Sequence, residues 1–298
     1  MSDALVERTA QALARAVDPQ VRLFAERLAT AGNALGVLFY GSNLRTGSLD
    51  GVLDFYVLTP GPRETGIWPR VSYHEWPVDG TTLRAKVATM TLQTFADAAA
   101  GDLLDTTIWA RFVQPSALVW SRPEAARPIA DAVADAARTA TRLAVALGPK
   151  RGSPEDYWRA LFRATYAAEF RVERKGREDS ILAVNRAHFD GLLPLALAAD
   201  GIAFTSDPSC AIEPHMSPGH RRQLLRWWSR RRRIGKLYNL TRLVRASTTF
   251  EGAARYAAWK IERHTGIPVR LTPWRERHPV LAAPGVLWHV WRARRAGA

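Results

Sequence analysis

Apolar residues in the first 121 positions fall into five short runs separated by glycine, proline and aspartate. Runs of this length, rich in valine and aromatic residues and bounded by turn residues, are typical of β-strands. The runs are "GVLFY" (36–40), "GVLDFYVL" (51–58), "RVSYHEW" (70–76), "TTLRAKVATM" (81–90) and "SALVWS" (116–121). The pattern therefore predicts a five-stranded sheet in the first part of the chain.

Helical spacing of apolar residues occurs before and between these strands. Residues 3–31 show it twice, and Pro19 marks the break between two helices. Short helices are also expected at 92–101 and 104–113, ahead of the fifth strand. The first part of the chain is thus predicted to be a mixed α/β (α+β) unit, a sheet flanked by helices.

The chain becomes predominantly helical in pattern after residue 122. An alanine-rich helix is expected to end at Gly148, and the next begins with a capping box formed by Ser153 and Asp156. Pro154 falls at the first helical position, where proline is favoured. The predicted organisation is a sheet domain (1–122), a helical domain that completes the site (123–215) and a basic, amphipathic C-terminal region (216–298).

The charge balance predicts an anionic partner. Lysine and arginine number 42 against 28 acidic residues, which gives a formal charge of +14 and an isoelectric point near 10.7. A nucleotide, a nucleic acid or an acidic membrane surface would each suit this charge. Ten of the basic residues lie between His220 and Phe250, where there is no acidic residue.

Other features of the composition favour a reducing compartment. The single cysteine, Cys210, excludes an internal disulfide framework and a cysteine-based metal cluster.

The N-terminal twenty residues lack the apolar core of a signal peptide, and no run of about 18 apolar residues could span a bilayer. The alanine- and arginine-rich composition is typical of bacterial proteins. We expect a cytoplasmic protein that is soluble or lies on the inner face of a membrane.

The most informative stretch for function is "GVLFYGSNLRTGSLDGVLDFYVLTP", residues 36–60. A strand ending at Gly41-Ser42 lets backbone N–H groups and one hydroxyl approach a phosphate, because glycine has no side chain to keep it away. Asp54 begins the next strand, where its carboxylate could hold Mg²⁺ against that phosphate. The alternative is that Gly41-Ser42 is an ordinary turn and that Asp54 caps it.

This stretch resembles the nucleotidyltransferase superfamily of the polymerase-β type, whose Gly-Ser is followed about a dozen residues later by Asp-x-Asp. Asp54 looks like the second aspartate, and Val52 stands in place of the first. Asp50 could contribute only if a bulge intervenes. In one branch of this superfamily an apolar residue replaces the first aspartate. This branch is the mitochondrial phosphatidate cytidylyltransferase family, also called translocator assembly and maintenance proteins, and residues 36–60 resemble it.

Three later blocks, in the same order, resemble that family. They are "LRAKVATMTLQTFADAAAGDLLDTTIWARFVQPSALVW", "SPEDYWRALFRATYAAEFRVE" and "LTRLVRASTTFEGAARY". The first is similar to a family block with a lysine-bearing strand and a "Gly-Arg-x-x-Lys-Pro-Val" entry into the next strand. A gapless placement puts Ala85 opposite the family's lysine, and a one-residue shift puts Lys86 there. Glu169 and Arg171 stand where the family has Asp-Phe-Arg.

The resemblance implies a set of site residues and a cofactor. Asp54, Glu169 and Lys86 would be catalytic, with Asp54 and Glu169 binding Mg²⁺. The nucleotide would contact Gly41, Ser42, Arg45 and Arg171. For Glu169 and Arg171 the alternative is an ion pair, in which Arg163 could also take part.

The implied reaction converts CTP and phosphatidate to CDP-diacylglycerol and pyrophosphate. A phosphate monoester is already ionised near neutral pH, so it needs no strong general base, and the absence of a carboxylate at Val52 is compatible with such an acceptor. Two alternatives stay open: a nucleotidyltransferase with another acceptor, such as a nucleic acid end or a small phosphorylated metabolite, and an inactive relative that binds nucleotide or membrane.

The basic stretch "HRRQLLRWWSRRRRIGKLYNLTRLVR" is predicted to contact an anionic membrane. It interleaves arginine with tryptophan and leucine, as helices at a bilayer surface do, and "APGVLWHVWRARRAGA" near the C-terminus has a similar composition. A basic face around a core helix and an RNA-binding surface are the alternatives, and nucleic acid is the less favoured partner.

Overall fold

The structure is a computed structural model. It describes all residues except 1, 67, 79, 169–176, 209, 250, 251, 278, 297 and 298, and side chains except also 2, 177, 236–249, 253, 264, 279, 280, 287, 290 and 293–296.

Five strands form one mixed sheet in the order β3-β4-β2-β1-β5. Their bounds are β1 Gly36–Tyr40, β2 Leu53–Thr59, β3 Arg70–Val78, β4 Thr81–Thr91 and β5 Ser116–Ser121. Strand β1 is antiparallel to both β2 and β5, β3 and β4 are an antiparallel pair, and β2 and β4 run parallel. The five predicted strands are therefore confirmed, each within two residues of its expected ends.

Helices cover both faces of this sheet. Those of the first part are α1 Ser2–Leu13, α2 Pro19–Gly32, α3 Ser42–Thr46, α4 Leu92–Ala100 and α5 Thr107–Phe112. On one face, Phe24 of α2 packs its ring against Phe55, which alternates along β2 with side chains of the other face. On that second face, Tyr56 and Phe112 pack edge to face, with α1, α4 and α5 over them.

The second part of the chain is mostly helical, as predicted. Its elements as far as residue 214 are α6 Pro123–Leu147, α7 Pro154–Ala168, α8 Arg177–Val184, α9 Arg186–Phe189, α10 Leu192–Ala199, β6 Phe204–Ser206 and β7 Ile212–Pro214. Helix α6 packs against α1, α4, α5, α7 and α10, so one apolar core runs from the sheet into this region. Small alanine side chains along α6 permit these close approaches. The mixed α/β fold class is thus shown, while the division at 122 and 215 stays a prediction.

The basic C-terminal region contains α11 Pro218–Thr249, α12 Ala253–Thr265, α13 Pro273–Arg277 and α14 Pro279–Ala296. Helix α11 packs on α6, and its Trp227 and Trp228 lie 5.9 and 6.1 Å from the buried ring of Trp109, centroid to centroid. Arg231, within the run of four arginines, is also buried. Part of the stretch that we expected to face a membrane is therefore internal packing, because its tryptophans complete the core.

Arg231 and Arg221 have structural partners at two helix ends. The Arg231 guanidinium donates to the carbonyl oxygens of Gly101 (2.6 Å) and Leu103 (2.8 Å), just after α4, and lies 3.9 Å from the Trp227 ring centroid. Burial lowers the pKa of Arg231 to about 10, so it stays charged at neutral pH. Arg221 donates to carbonyls at the end of α6. Among the other arginines of this stretch whose side chains the structure describes, Arg222, Arg226, Arg230, Arg232 and Arg233 are exposed.

Candidate active site

The Gly41-Ser42 pair and Asp54 meet at one end of the sheet. The antiparallel register of β1 and β2 places Tyr40 directly opposite Asp54, so the residue after β1 lies against the carboxylate. Gly41 has φ +93° and ψ −160°, and a Cβ there would stand 3.1 Å from Asp54 Oδ2. Only glycine adopts this backbone conformation readily. Its presence lets the chain turn directly beside Asp54.

Gly41 is followed directly by the short helix α3, which begins at Ser42. Asn43 is buried, and its Nδ2 donates to the carbonyl oxygens of Ser48 and Asp50, both at 2.8 Å. These bonds tie the connection back and hold Asp50 in an exposed turn. Strand β2 begins only at Leu53, and Asp50 does not line the cleft described below. Asp54 is therefore the one acidic residue among the described residues that line the cleft.

A cleft of about 330 Å³ opens over Gly41 and Asp54. Its charged lining residues are Arg45 from α3, Asp54 from β2, Lys86 from β4 and Arg111 from α5. Three cations thus surround one carboxylate among the described lining residues. Such a cleft attracts an anion and leaves Asp54 as a hard oxygen ligand within it.

Lys86, rather than Ala85, faces the cleft. Strands β2 and β4 are parallel and in register, with Lys86 beside Asp54. Ala85 is fully buried on the opposite face, among the apolar residues under α2. Successive side chains of a strand point to opposite faces, so the one-residue shift considered for the sequence is the arrangement that brings a lysine into the site.

Arg111 belongs to the cleft but was missing from our predicted site. Its Nη1 donates to the Tyr56 hydroxyl at 2.7 Å, and its guanidinium carbon lies 5.1 Å from the centroid of the Tyr40 ring. These contacts hold the guanidinium at the cleft wall. The signal was present in "ARFVQPS", which matches the arginine and proline of the family's entry into this strand. Sequence alone gave no reason to connect it with Asp54.

Helix α12 approaches the same side of the sheet from the C-terminal region. Tyr256 packs against Tyr73 of β3 with ring centroids 5.4 Å apart, and Tyr73 is opposite Lys86 in register. Burial, and then the charge of Asp54, raises the pKa of the Tyr256 hydroxyl. Arg263, two turns further on, lies against Gly51 in the turn before β2. This neighbourhood could not be inferred from sequence, because about 200 residues separate its members.

The helical wall of the cleft comes from α7 and the segment around α8. Phe162, Thr165 and Tyr166 of α7 line it, with Ile181 and Asn185 beyond. Glu169 and Arg171, which we predicted as a metal ligand and a phosphate contact, lie outside the described residues. Their placement in the site therefore stays a prediction.

Among the residues that the structure describes, Asp54 would need ligands from a substrate to hold a divalent cation. Within the part of the chain that the structure describes, no three histidine, cysteine or acidic residues are grouped to bind a metal. Magnesium, however, is commonly bound by one or two carboxylates and by substrate phosphates. A carboxylate beside a glycine and three cations fits that mode, in which Asp54 and phosphate oxygens would share the ion.

The chain matches no model of a known protein family, and no curated protein matches it.

Proposed function

We propose that the protein is a magnesium-dependent cytidylyltransferase that converts phosphatidate and CTP to CDP-diacylglycerol and pyrophosphate. The observation that carries the proposal is the close approach of the Gly41 backbone to Asp54, whose Oδ2 would stand 3.1 Å from a Cβ added at Gly41, in a cleft lined by Arg45, Lys86 and Arg111. A phosphate cradle and an oxygen ligand at one point suit a nucleoside triphosphate with its metal.

In this proposal the triphosphate lies over the end of β1. The backbone at Gly41 lets a phosphate approach closely, and the Arg45 guanidinium neutralises its charge. Magnesium, when bound at Asp54, would supply charge neutralisation and orient the phosphate oxygens. The base and ribose would face α7, where aromatic and amide side chains line the cleft.

The acceptor in this proposal is an ionised phosphate. An oxygen of the phosphate monoester attacks the α-phosphorus in line, and the bond from that phosphorus to the bridging oxygen breaks as pyrophosphate leaves. No proton has to be removed from such an acceptor near neutral pH, so the site needs no strong base. Val52, two residues before Asp54, accordingly carries no carboxylate.

The proposed membrane contact involves the C-terminal helices more than the arginine run. Among the described residues no helix is long and apolar enough to cross a bilayer. On α14, Leu281, Trp288 and Trp291 are at least half exposed and share one helix face, and Trp274 of α13 is also exposed. Exposed arginines at 222, 226, 230 and 233 follow helical spacing along α11. Exposed tryptophan with clustered arginine favours an anionic bilayer surface.

The decisive experiment incubates the protein with each of four labelled nucleoside triphosphates, magnesium and phosphatidate vesicles. We expect a nucleotide-linked lipid with CTP and no product after Asp54→Ala. Unchanged magnesium-dependent turnover of CTP by Asp54→Ala would refute the assignment of this residue.

The alternatives have their own outcomes in the same experiment. Metal-dependent nucleotide binding without lipid product from any triphosphate would favour another acceptor, such as a nucleic acid end or a small phosphorylated metabolite. Nucleotide binding with no turnover of any acceptor would favour an inactive binding relative, which Val52 is compatible with.

Vesicle sedimentation tests the membrane contact separately. We expect stronger binding to anionic than to neutral vesicles, falling with added salt, and weaker binding after Trp288→Ala combined with Trp291→Ala. Leu23→Ala is the matched control, because Leu23 is an exposed apolar residue on α2. Equal partition onto neutral and anionic vesicles would contradict electrostatic docking.

A further inference from the structure

A second cavity of about 180 Å³ adjoins the cleft on the side of β4 and β3. The two spaces share Tyr40, Lys86, Thr107 and Arg111 as lining residues. The two cations shared between the spaces therefore stand where they join.

The walls of the second cavity are largely apolar. Trp68, Val71 of β3, Ala88 of β4 and Ile108 of α5 line it. Its carboxylate, Asp105, is buried and accepts a hydrogen bond from the Ile108 N–H at 2.9 Å, so it caps the start of α5. A negative charge in this position opposes entry of a phosphate into the cavity itself, whereas Lys86 and Arg111 attract one to the junction.

The strand order fixes the direction from which an acceptor can approach. Gly41 directly follows β1, Asp54 lies on β2 and Lys86 lies on β4, and these strands are neighbours in that order. Neighbouring strands are about 4.8 Å apart, so the cradle over β1 and Lys86 are separated by about 10 Å. In an in-line displacement the leaving group and the attacking oxygen lie on opposite sides of the phosphorus. With the pyrophosphate over β1, the acceptor must come from the β4 side.

We propose that this second cavity binds the apolar group next to the acceptor's phosphate, while Lys86 and Arg111 hold that phosphate at the junction. The inference rests on the proposed function and deepens it, because it assigns the acceptor its own subsite and its chemical class, an amphiphilic phosphate monoester. The α7 side of the cleft is then left for the nucleoside. An inorganic phosphate would fill only the junction.

The test compares n-hexyl phosphate with inorganic phosphate by calorimetry on the full chain. Each buried methylene contributes roughly a fourfold gain in affinity, so burial of two gives more than about tenfold tighter binding of hexyl phosphate. Val71→Phe, which fills the cavity, should remove most of this preference and leave inorganic phosphate binding within about twofold. Val78→Phe is the control, since Val78 lies on the same strand against the opposite face of the sheet.

Several outcomes would overturn the proposal. Equal affinity for hexyl phosphate and inorganic phosphate would contradict it. A preference for hexyl phosphate that persists in Val71→Phe would also contradict it. Weaker binding of magnesium-CTP to Val71→Phe, with hexyl phosphate unaffected, would instead place the base in this cavity. If Val71→Phe fails to fold, Val71→Ala should favour octyl over hexyl phosphate, and an unchanged chain-length preference would then refute the subsite.

Failure of the proposed function can be distinguished from failure of this inference. Magnesium-CTP binding to the unaltered protein is measured in the same instrument. If the unaltered protein does not bind magnesium-CTP, the nucleotidyltransferase assignment is wrong. A preference for hexyl phosphate that depends on Val71 would still establish a subsite for an amphiphilic phosphate.

Discussion

Replacing Gly41 by alanine separates the backbone requirement at the site from its effect on Asp54. Gly41 adopts φ +93° and ψ −160°, and an added Cβ would stand 3.1 Å from Asp54 Oδ2. Gly47, at the other end of α3, has φ +69° and ψ 2°, and nothing lies within 4 Å of an added Cβ. The two glycines therefore share a positive φ but differ in what a side chain would meet.

The expected costs follow from these two environments. A non-glycine residue in the left-handed region costs about 1–2 kcal/mol, which is the whole effect expected for Gly47→Ala. The conformation of Gly41 lies in the region that is essentially restricted to glycine, at about 1–3 kcal/mol, and the close contact adds to it. We expect Gly41→Ala to lose about 2–3 kcal/mol of unfolding free energy. The Asp54 carboxylate must also shift by a few tenths of an ångström.

Denaturant unfolding and magnesium-dependent CTP binding measure the two effects. We expect Gly41→Ala to weaken nucleotide binding by about tenfold, because small displacements of positioned groups are costly. Gly47→Ala should change stability alone. If both variants bind the nucleotide equally well, the approach of Gly41 to Asp54 has no role in binding and the phosphate cradle is refuted.

Two further predictions concern groups outside the cleft. Arg231→Ala should cost about 2–4 kcal/mol by leaving the Gly101 and Leu103 carbonyls without their buried donor, whereas Arg230→Ala, at the exposed neighbouring position, should stay within about 0.5 kcal/mol; equal unfolding midpoints would contradict the structural role. Burial, with Arg15 and Arg8 nearby, lowers the pKa of His188 to about 4 from its usual 6.5, so the neutral ring contributes stability that is complete above pH 6.5 and is lost as the pH falls towards 4. Between pH 7 and 5 the expected loss is about 1–2 kcal/mol, and His188→Gln, which keeps a donor for the Val113 carbonyl, should flatten this dependence in unfolding measured across that range; an unchanged slope would show that another group titrates.

The strands were predictable because their burial pattern is local. Each strand carries its own apolar run and ends at residues with restricted backbone preferences, such as the turn after Thr59 that begins with Pro60. Helices α6 and α7 likewise show their ends in sequence, at Gly148 and at the Ser153 capping box. None of these signals depends on a distant partner.

The positions of several side chains could not be predicted from sequence, because they depend on contacts with residues far away along the chain. Arg111 reaches the cleft through its bond to Tyr56, which is 55 residues away in sequence. Tyr256 comes within the influence of the Asp54 charge only because α12 packs on β3. Arg231 looked like any other arginine of a basic run, and its burial follows from the position of the α4 C-terminus. In each case the tertiary contact selects one residue among several of the same type.

The closeness of Gly41 to Asp54 could be predicted from sequence because it follows from the pairing of two neighbouring strands. The antiparallel register requires the residue after Tyr40 to stand beside Asp54, and the intervening chain is short enough to be closed by α3 and the two Asn43 bonds. Glycine is then needed where the chain turns past the carboxylate. A Gly-Ser pair alone indicates only a turn, but here its position at the end of β1, opposite the start of β2, brings the glycine beside the aspartate. Val52 lies two residues before Asp54, just before β2 begins at Leu53. A carboxylate at this position would therefore be the most direct way to place a second acidic group beside Asp54.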